Sequence, residues 1–419
     1  MATALTSEEK PQAQAANRAV LARVAFFLTF ASAASILVSI AISQTLMAFA
    51  LVTLLLSGES LRFPPLKAPF AAILLTTIIA VLLSPDPSGG LPQIRKFYVF
   101  AILLLVSSTF TSLDRIRALV AAWSGIAMLS ALRGFGQFLV RRQAALQDHA
   151  ENYGFYLDDR VRGFAGHWMT FGGEQMIVLS LLMAVVLFSQ RRREKGVALA
   201  CVLCLYAGTA LSLTRSVFLL GIPAGGLYLL WRWRPRALAV VPVVAAAGFL
   251  AAPFQVRDRV ISVVRPHGDL DSNSHRQVMR RVGWEMVKAH PWAGLGPEQI
   301  GPQFQRFVPA DMPRPLPRGW YGHLHNIYLQ YAAERGIPGL LAVLWLIGRA
   351  LLDFLSALRV GRLSSDAACL LHGAVAVVLA VLAAGFFEYN LGDSEVLTMF
   401  LVVIACGYTA AADRVPRTG

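Results

Sequence analysis

The sequence predicts an all-α integral membrane protein of about twelve transmembrane helices with one large helical loop outside the cytoplasm. Three observations predict it. The first is composition: 56% of the 419 residues are hydrophobic, only 15% are charged, and the mean hydropathy is +0.57. Soluble domains carry about 25% charged residues, and hydrocarbon cannot solvate a charge. The second is a series of apolar runs near 25–42, 44–58, 68–84, 97–110, 118–138, 171–189, 197–213, 216–231, 237–253, 338–354, 367–387 and 395–411. Each approaches the roughly 20 residues that a helix needs to cross a bilayer. The third is charge placement. Every second connection carries at least two basic residues: Arg62/Lys67, Arg115/Arg117, Arg191–Arg193/Lys195, Arg232/Arg234/Arg236, Arg359/Arg362 and Arg414/Arg417. The short connections between them, near 43, 85–94, 214–215 and 388–394, hold only Lys- and Arg-poor sequence, with Arg215 as the feature that stands out. Basic loops stay in the cytoplasm, so both termini are expected there.

Taken in order, the first run follows a short basic tail (Lys10, Arg18, Arg23) without a small-residue cleavage site and reads as a retained helix. Residues 1–253 then hold nine crossings, with a short external loop near 139–170. Residues 254–337 form the one long external loop, and 338–419 hold the last three crossings and a cytoplasmic C-terminus. From 254 to 324 the long loop has ten basic residues and six acids, a net charge of +4. That excess suits an anionic partner. The overall charge of +14 otherwise sits beside apolar runs, which points to lipid phosphates rather than nucleic acid. Within the loop, Ser272-Asn273-Ser274 offers N-cap oxygens to a helix that ends at His290-Pro291. A second helix is expected from near His325 to a break at Gly336-Ile337-Pro338-Gly339.

Chemistry is expected where ionisable groups meet the outer face. Arg215, in SLTRSVF, is either an interfacial arginine reaching lipid phosphate or a ligand for a substrate phosphate, which its planar fork of donors suits. Arg276 and Arg280 are i,i+4 neighbours on one helix face and complete a clamp that neutralises a diphosphate leaving group. His325 is the favoured general base, with His323 competing; on a helix the two rings would point apart. Asp269-Leu270-Asp271 has the D-x-D spacing of metal-binding glycosyltransferases, but the motif is short and set among turn residues, as is Asp158-Asp159, and no metal is expected. Cys201-x-x-Cys204 lies in a membrane helix and reads as a pair of buried structural thiols, like Cys369 and Cys406. No phosphate-binding loop or nucleotide fingerprint is present, and no cofactor is expected.

These residues resemble the O-antigen ligase and polymerase superfamily of GT-C-type membrane glycosyltransferases. The resemblance rests on the TRS turn with Arg215, on HRQVMRRVGWEMVKAHPWAGLGP, on HLHNIYLQYAAERGIPGL and, more weakly, on RVRGFAGHWMTFGG with Arg160, Arg162 and Gly163. It covers about 155–345. It implies a metal-independent, inverting transfer on the periplasmic side of the bacterial inner membrane. The donor implied is an O-antigen on undecaprenyl diphosphate and the acceptor a hydroxyl of lipid A-core. By motif, Arg215 and Arg276 would bind the diphosphate and His325 would deprotonate the acceptor. Where the family has tryptophan four residues after its loop arginine this chain has Arg280, which shares the role of Arg276 in this reading. A polymerase or a protein O-oligosaccharyltransferase of the same superfamily would use the same residues. A polysaccharide flippase shares the twelve-crossing plan, but transporters show repeated halves, and none is seen here.

Overall fold

The computed structural model describes residues 9–147, 152–361 and 363–414, and its described residues are helical, with a single isolated bridge between Leu363 and Arg414. Arg362 and Arg417 of the charge pattern, and the side chains of Lys10 and Asp269, lie outside what is described. In chain order the apolar helices are α1 (Glu9–Ser35), α2 (Ile40–Ser57), α3 (Lys67–Leu82), α4 (Pro87–Thr109), α5 (Leu113–Gln147), α6 (Trp168–Phe188), α7 (Arg192–Leu211), α8 (216–233) and α9 (Pro235–Ala251). The long loop holds α10 (Phe254–Ile261) and α11 (Asn273–Ala289), and the chain closes with α12 (Ile327–Val360), α13 (Ser365–Ala384) and α14 (Ser394–Ala412). Nine of these are long and apolar enough to cross a membrane: α1, α2, α4, α5, α6, α7, α12, α13 and α14. The other three expected runs also form helices, but α3 and α9 are shorter and α8 opens with a π-helical turn at Ser216–Gly221.

Helices α6, α13 and α14 form the centre, with 72% of their apolar windows buried inside the protein against 22–39% for the other six. The outer helices keep apolar side chains exposed, as lipid contact requires. The first two helices pack as a hairpin over small residues, Ala25, Ala33 and Ala50. There Ser32 Oγ donates to the Ser43 carbonyl and Ser43 Oγ to the Ser32 carbonyl, each at 2.8 Å. Small residues allow this close approach and the hydroxyls bond across it. The expected first run overshoots: α1 ends at Ser35 because Ser39 caps α2. At the opposite end of the bundle from the long loop, Arg117 pairs with Glu194 and, at 3.0 Å, with Asp366, and Arg191 reaches Asp366 at 3.2 Å, tying α5, α7 and α13 together.

Three local expectations change. α5 runs to Gln147, about two turns past the expected span, so the short loop starts later. Ser272 precedes α11 in a left-handed conformation (φ 53°) and makes no side-chain cap; the amide of Asn273 serves Arg215 instead. Cys201 and Cys204 are half-buried on α7, while Cys369 and Cys406 are buried. The break at Gly336 is present as a kink inside α12, with φ 69° and ψ 175°. Here the PWAGLG turn docks backbone to backbone on the kink: Leu295 N–H donates to Ala333 O at 2.8 Å and Ile337 N–H to Pro291 O at 2.7 Å. A Cβ at Gly336 would lie 2.2 Å from Trp292 O, so only glycine allows the contact. This docking holds α11 against α12 at the long-loop end of the bundle, beside a second apolar core of Met279, Val282, Met286, Phe304 and Leu324.

Candidate functional site

Arg215 stands at the tight turn between α7 and α8, after Leu213 with φ 55°. Its guanidinium donates to Ser262 Oγ at 2.9 Å, to the Asp271 carbonyl at 2.7 Å and to Asn273 Oδ1. All three are neutral oxygens, so the charge of this buried side chain is oriented but not cancelled. Burial and the nearby Arg259 and Arg276 lower its pKa to about 10, which leaves it cationic at neutral pH. The turn is braced by Arg259, whose Nε donates to Leu213 O at 2.9 Å. Arg259 in turn pairs with fully buried Asp271 at 3.1 Å.

Asp271 is therefore structural. It accepts from Arg259 and from the Tyr153 hydroxyl (2.6 Å) on one oxygen, and from His267 N–H (2.6 Å) and Nδ1 (3.0 Å) on the other. Both oxygens are used by protein donors. Replacing Asp271 by Ala is expected to cost about 3–5 kcal/mol, because it strands a buried arginine. Thermal unfolding in detergent checks this, and added divalent cation should restore nothing. Asp159 is likewise taken, by Arg141 at 2.7 Å.

The centre of the site is a residue that sequence reasoning does not single out, Glu388 in the α13–α14 connection. One of its oxygens accepts from Arg276 Nη2 at 2.7 Å and from Ser216 Oγ at 2.9 Å. The other lies 3.9 Å from His325 Nδ1, an ion-pair distance longer than a hydrogen bond. Burial alone would raise this carboxyl, but Arg276 above all, with His325 and Ser216, holds it down at about 2. The connection reads as poor in cations, and its carboxylate carries no motif of its own; only an acid at an apolar helix end marks it.

His325 itself has φ 50°, an uncommon conformation for a residue with a side chain. It is fixed from behind by Asn326, which caps α12 through Leu329 N–H (2.8 Å) and donates to Phe386 O (2.9 Å). Because the helix starts only at Ile327, His323 and His325 do not diverge: their rings pack edge to face with centroids 4.1 Å apart. His323 Nδ1 accepts the His325 backbone N–H at 3.3 Å. Burial and His325 lower the His323 pKa to about 3, and burial and His325 lower that of His275 to about 4, so both are neutral.

Two cavities meet here. A groove of about 520 Å³ is lined by Arg215, Arg276 and Arg280 together with Leu219, Leu220, Val263, Phe386 and Phe387. A larger vestibule of about 880 Å³ is lined by polar groups including Lys96, Arg160, His275, His323 and Glu388. Arg276 and His325 line both. The fold thus gathers Arg215, Arg276, Arg280, His323, His325 and Arg160, but leaves Arg162 exposed outside the two cavities.

The described residues thus make a helical, polytopic membrane protein with a cationic, histidine-bearing site at one end of its bundle. Residues 199–344 match the family model described as O-antigen ligase, which supports the chain's place in the O-antigen ligase superfamily. The matched segment contains Arg215, Arg276, Arg280 and His325; Arg160 and Glu388 lie outside it. A search of curated proteins gave no match.

Proposed function

We propose that the protein is an O-antigen ligase, a GT-C-type enzyme of the bacterial inner membrane with twelve crossings, cytoplasmic termini and a periplasmic site. It transfers O-antigen from undecaprenyl diphosphate to a sugar hydroxyl of lipid A-core. The observation that carries this reading is that Arg276 and His325 form the wall shared by an apolar, arginine-lined groove and a polar vestibule. A lipid diphosphate needs apolar contacts for its chain and cations for its phosphates, and the groove offers both. A saccharide acceptor needs a polar approach, which the vestibule offers.

In this mechanism the diphosphate lies against Arg215, Arg276 and Arg280. The acceptor hydroxyl enters from the vestibule and attacks the anomeric carbon from the face opposite the diphosphate. The new C–O bond forms as the bond to the phosphate oxygen breaks, its electron pair leaves on the diphosphate, and the acceptor proton passes to His325 Nε2. Glu388 faces Nδ1 and would stabilise the imidazolium formed. The cations oppose the charge that develops on the leaving oxygen, where fixed donors act most strongly. No step needs a nucleotide or a metal.

Purified protein given lipid-linked O-antigen and lipid A-core in detergent with EDTA is expected to yield glycan attached to lipid A-core. Loss of all activity in chelator would contradict the metal-independent mechanism. Growth of the lipid-linked glycan alone would assign a polymerase.

A further inference from the structure

A third cavity, of about 650 Å³, lies between the outer part of α5, the short loop and the start of α10. Its described lining includes four guanidiniums, Arg133, Arg141, Arg160 and Arg162, against one carboxylate, Asp159, which Arg141 already pairs. Two nearly fully buried side chains on its wall have polar atoms without a hydrogen-bond partner: Gln255 Oε1 (residue 1% exposed) and Tyr156 Oη (3% exposed). Buried polar atoms are rarely left unpaired, so an orphaned acceptor and hydroxyl beside unneutralised cations point to a ligand that brings both donors and negative charge.

The cavity's level supports a lipid source. α5 starts at Leu113, and about 20 helical residues cover the hydrocarbon thickness, which puts Arg133 at the outer boundary where phosphates lie. Exposed Val140 and the rings of Phe138 and Phe155 complete an apolar side. The geometry points to a second anion site, which binds the phosphate of an outer-leaflet lipid whose headgroup also carries hydroxyls. The arginines take the phosphate, and Gln255 and Tyr156 take the hydroxyls. Arg160 lines both this cavity and the vestibule, so a headgroup here would sit one side chain from the proposed transfer site.

The test is lipid retention by the detergent-purified full chain in native mass spectrometry, which needs no turnover. Phosphatidylglycerol, a phosphorylated diglucosamine lipid and phosphatidylcholine are titrated in parallel. Both anionic, hydroxyl-bearing lipids should bind more tightly than phosphatidylcholine. Stronger retention of the diglucosamine lipid would identify a saccharide headgroup as the source, and equal retention an ordinary phospholipid. The exposed pair exchanged together, Arg133→Gln with Arg162→Gln, should weaken both by about tenfold, and Gln255→Leu should weaken them without touching a charge. Equal retention of all three lipids, or no change in either variant, would overturn the site. Ligase activity can fail while this binding persists, and the reverse, so the two readings stand apart.

Discussion

Arg276→Ala is expected to lower glycosyl transfer by about two to three orders of magnitude, the scale seen when a charge-stabilising donor is removed from a transition state. The same change should also destabilise the fold by about 3–5 kcal/mol, because it leaves Glu388 buried without its cation. The sign of the pH effect follows. Glu388 sits at about 2, below its ordinary 4.5, so its pairing contributes stability that is fully present above about pH 4.5 and fades as pH falls through about 2. Without Arg276, burial drives the carboxyl upward, and the difference between variant and wild type should shrink on acidification. Thermal unfolding at pH 7 and pH 4 reads this directly. A difference independent of pH would mean that the pair is not what Arg276 contributes. A lysine there should recover stability better than activity, since it restores charge without the planar fork.

His325→Ala should reduce turnover by about two to four orders of magnitude, the range for a positioned general base. Its effect should separate from that of Arg276. The imidazole lies on the shared wall, but the lipid diphosphate in the proposed mechanism is held by arginines, so donor affinity should stay within about threefold of wild type. His323 cannot substitute well: burial keeps its pKa near 3, far below that of an effective base at neutral pH, and it lines only the vestibule.

Much of the fold is legible in the sequence because hydrocarbon permits few solutions. Every expected apolar run became a helix, and the break at Gly336 appears where glycine and proline announce it. Boundaries were less readable. The turn after Ser35 was hard to read because its one marker, the capping Ser39, stands among other serines, and Ser32 and Ser43 pair across the hairpin instead of ending a helix. The site was half legible. Arg215, Arg276, Arg280 and His325 stand out as ionisable groups near apolar ends, and the fold does bring them together. Glu388 and Asp271 were not readable, for opposite reasons. A lone carboxylate in a short connection carries no spacing to interpret, yet it organises the centre. The D-x-D spacing carries a meaning that geometry denies, since Asp271 spends its oxygens on Arg259, Tyr153 and His267. Likewise the opposed His323 and His325 assume a helix that begins two residues too late to separate them.

In the proposed mechanism labour divides across one wall, with arginines holding a diphosphate on one side and His325 taking a proton on the other. A single-turnover experiment separates the two roles. Purified wild type and His325→Ala are loaded with radiolabelled lipid-linked O-antigen, bound donor is measured, and lipid A-core is then added. Equal loading of both proteins and a burst of transfer only in wild type are expected. Transfer from the variant at the wild-type rate would contradict this mechanism.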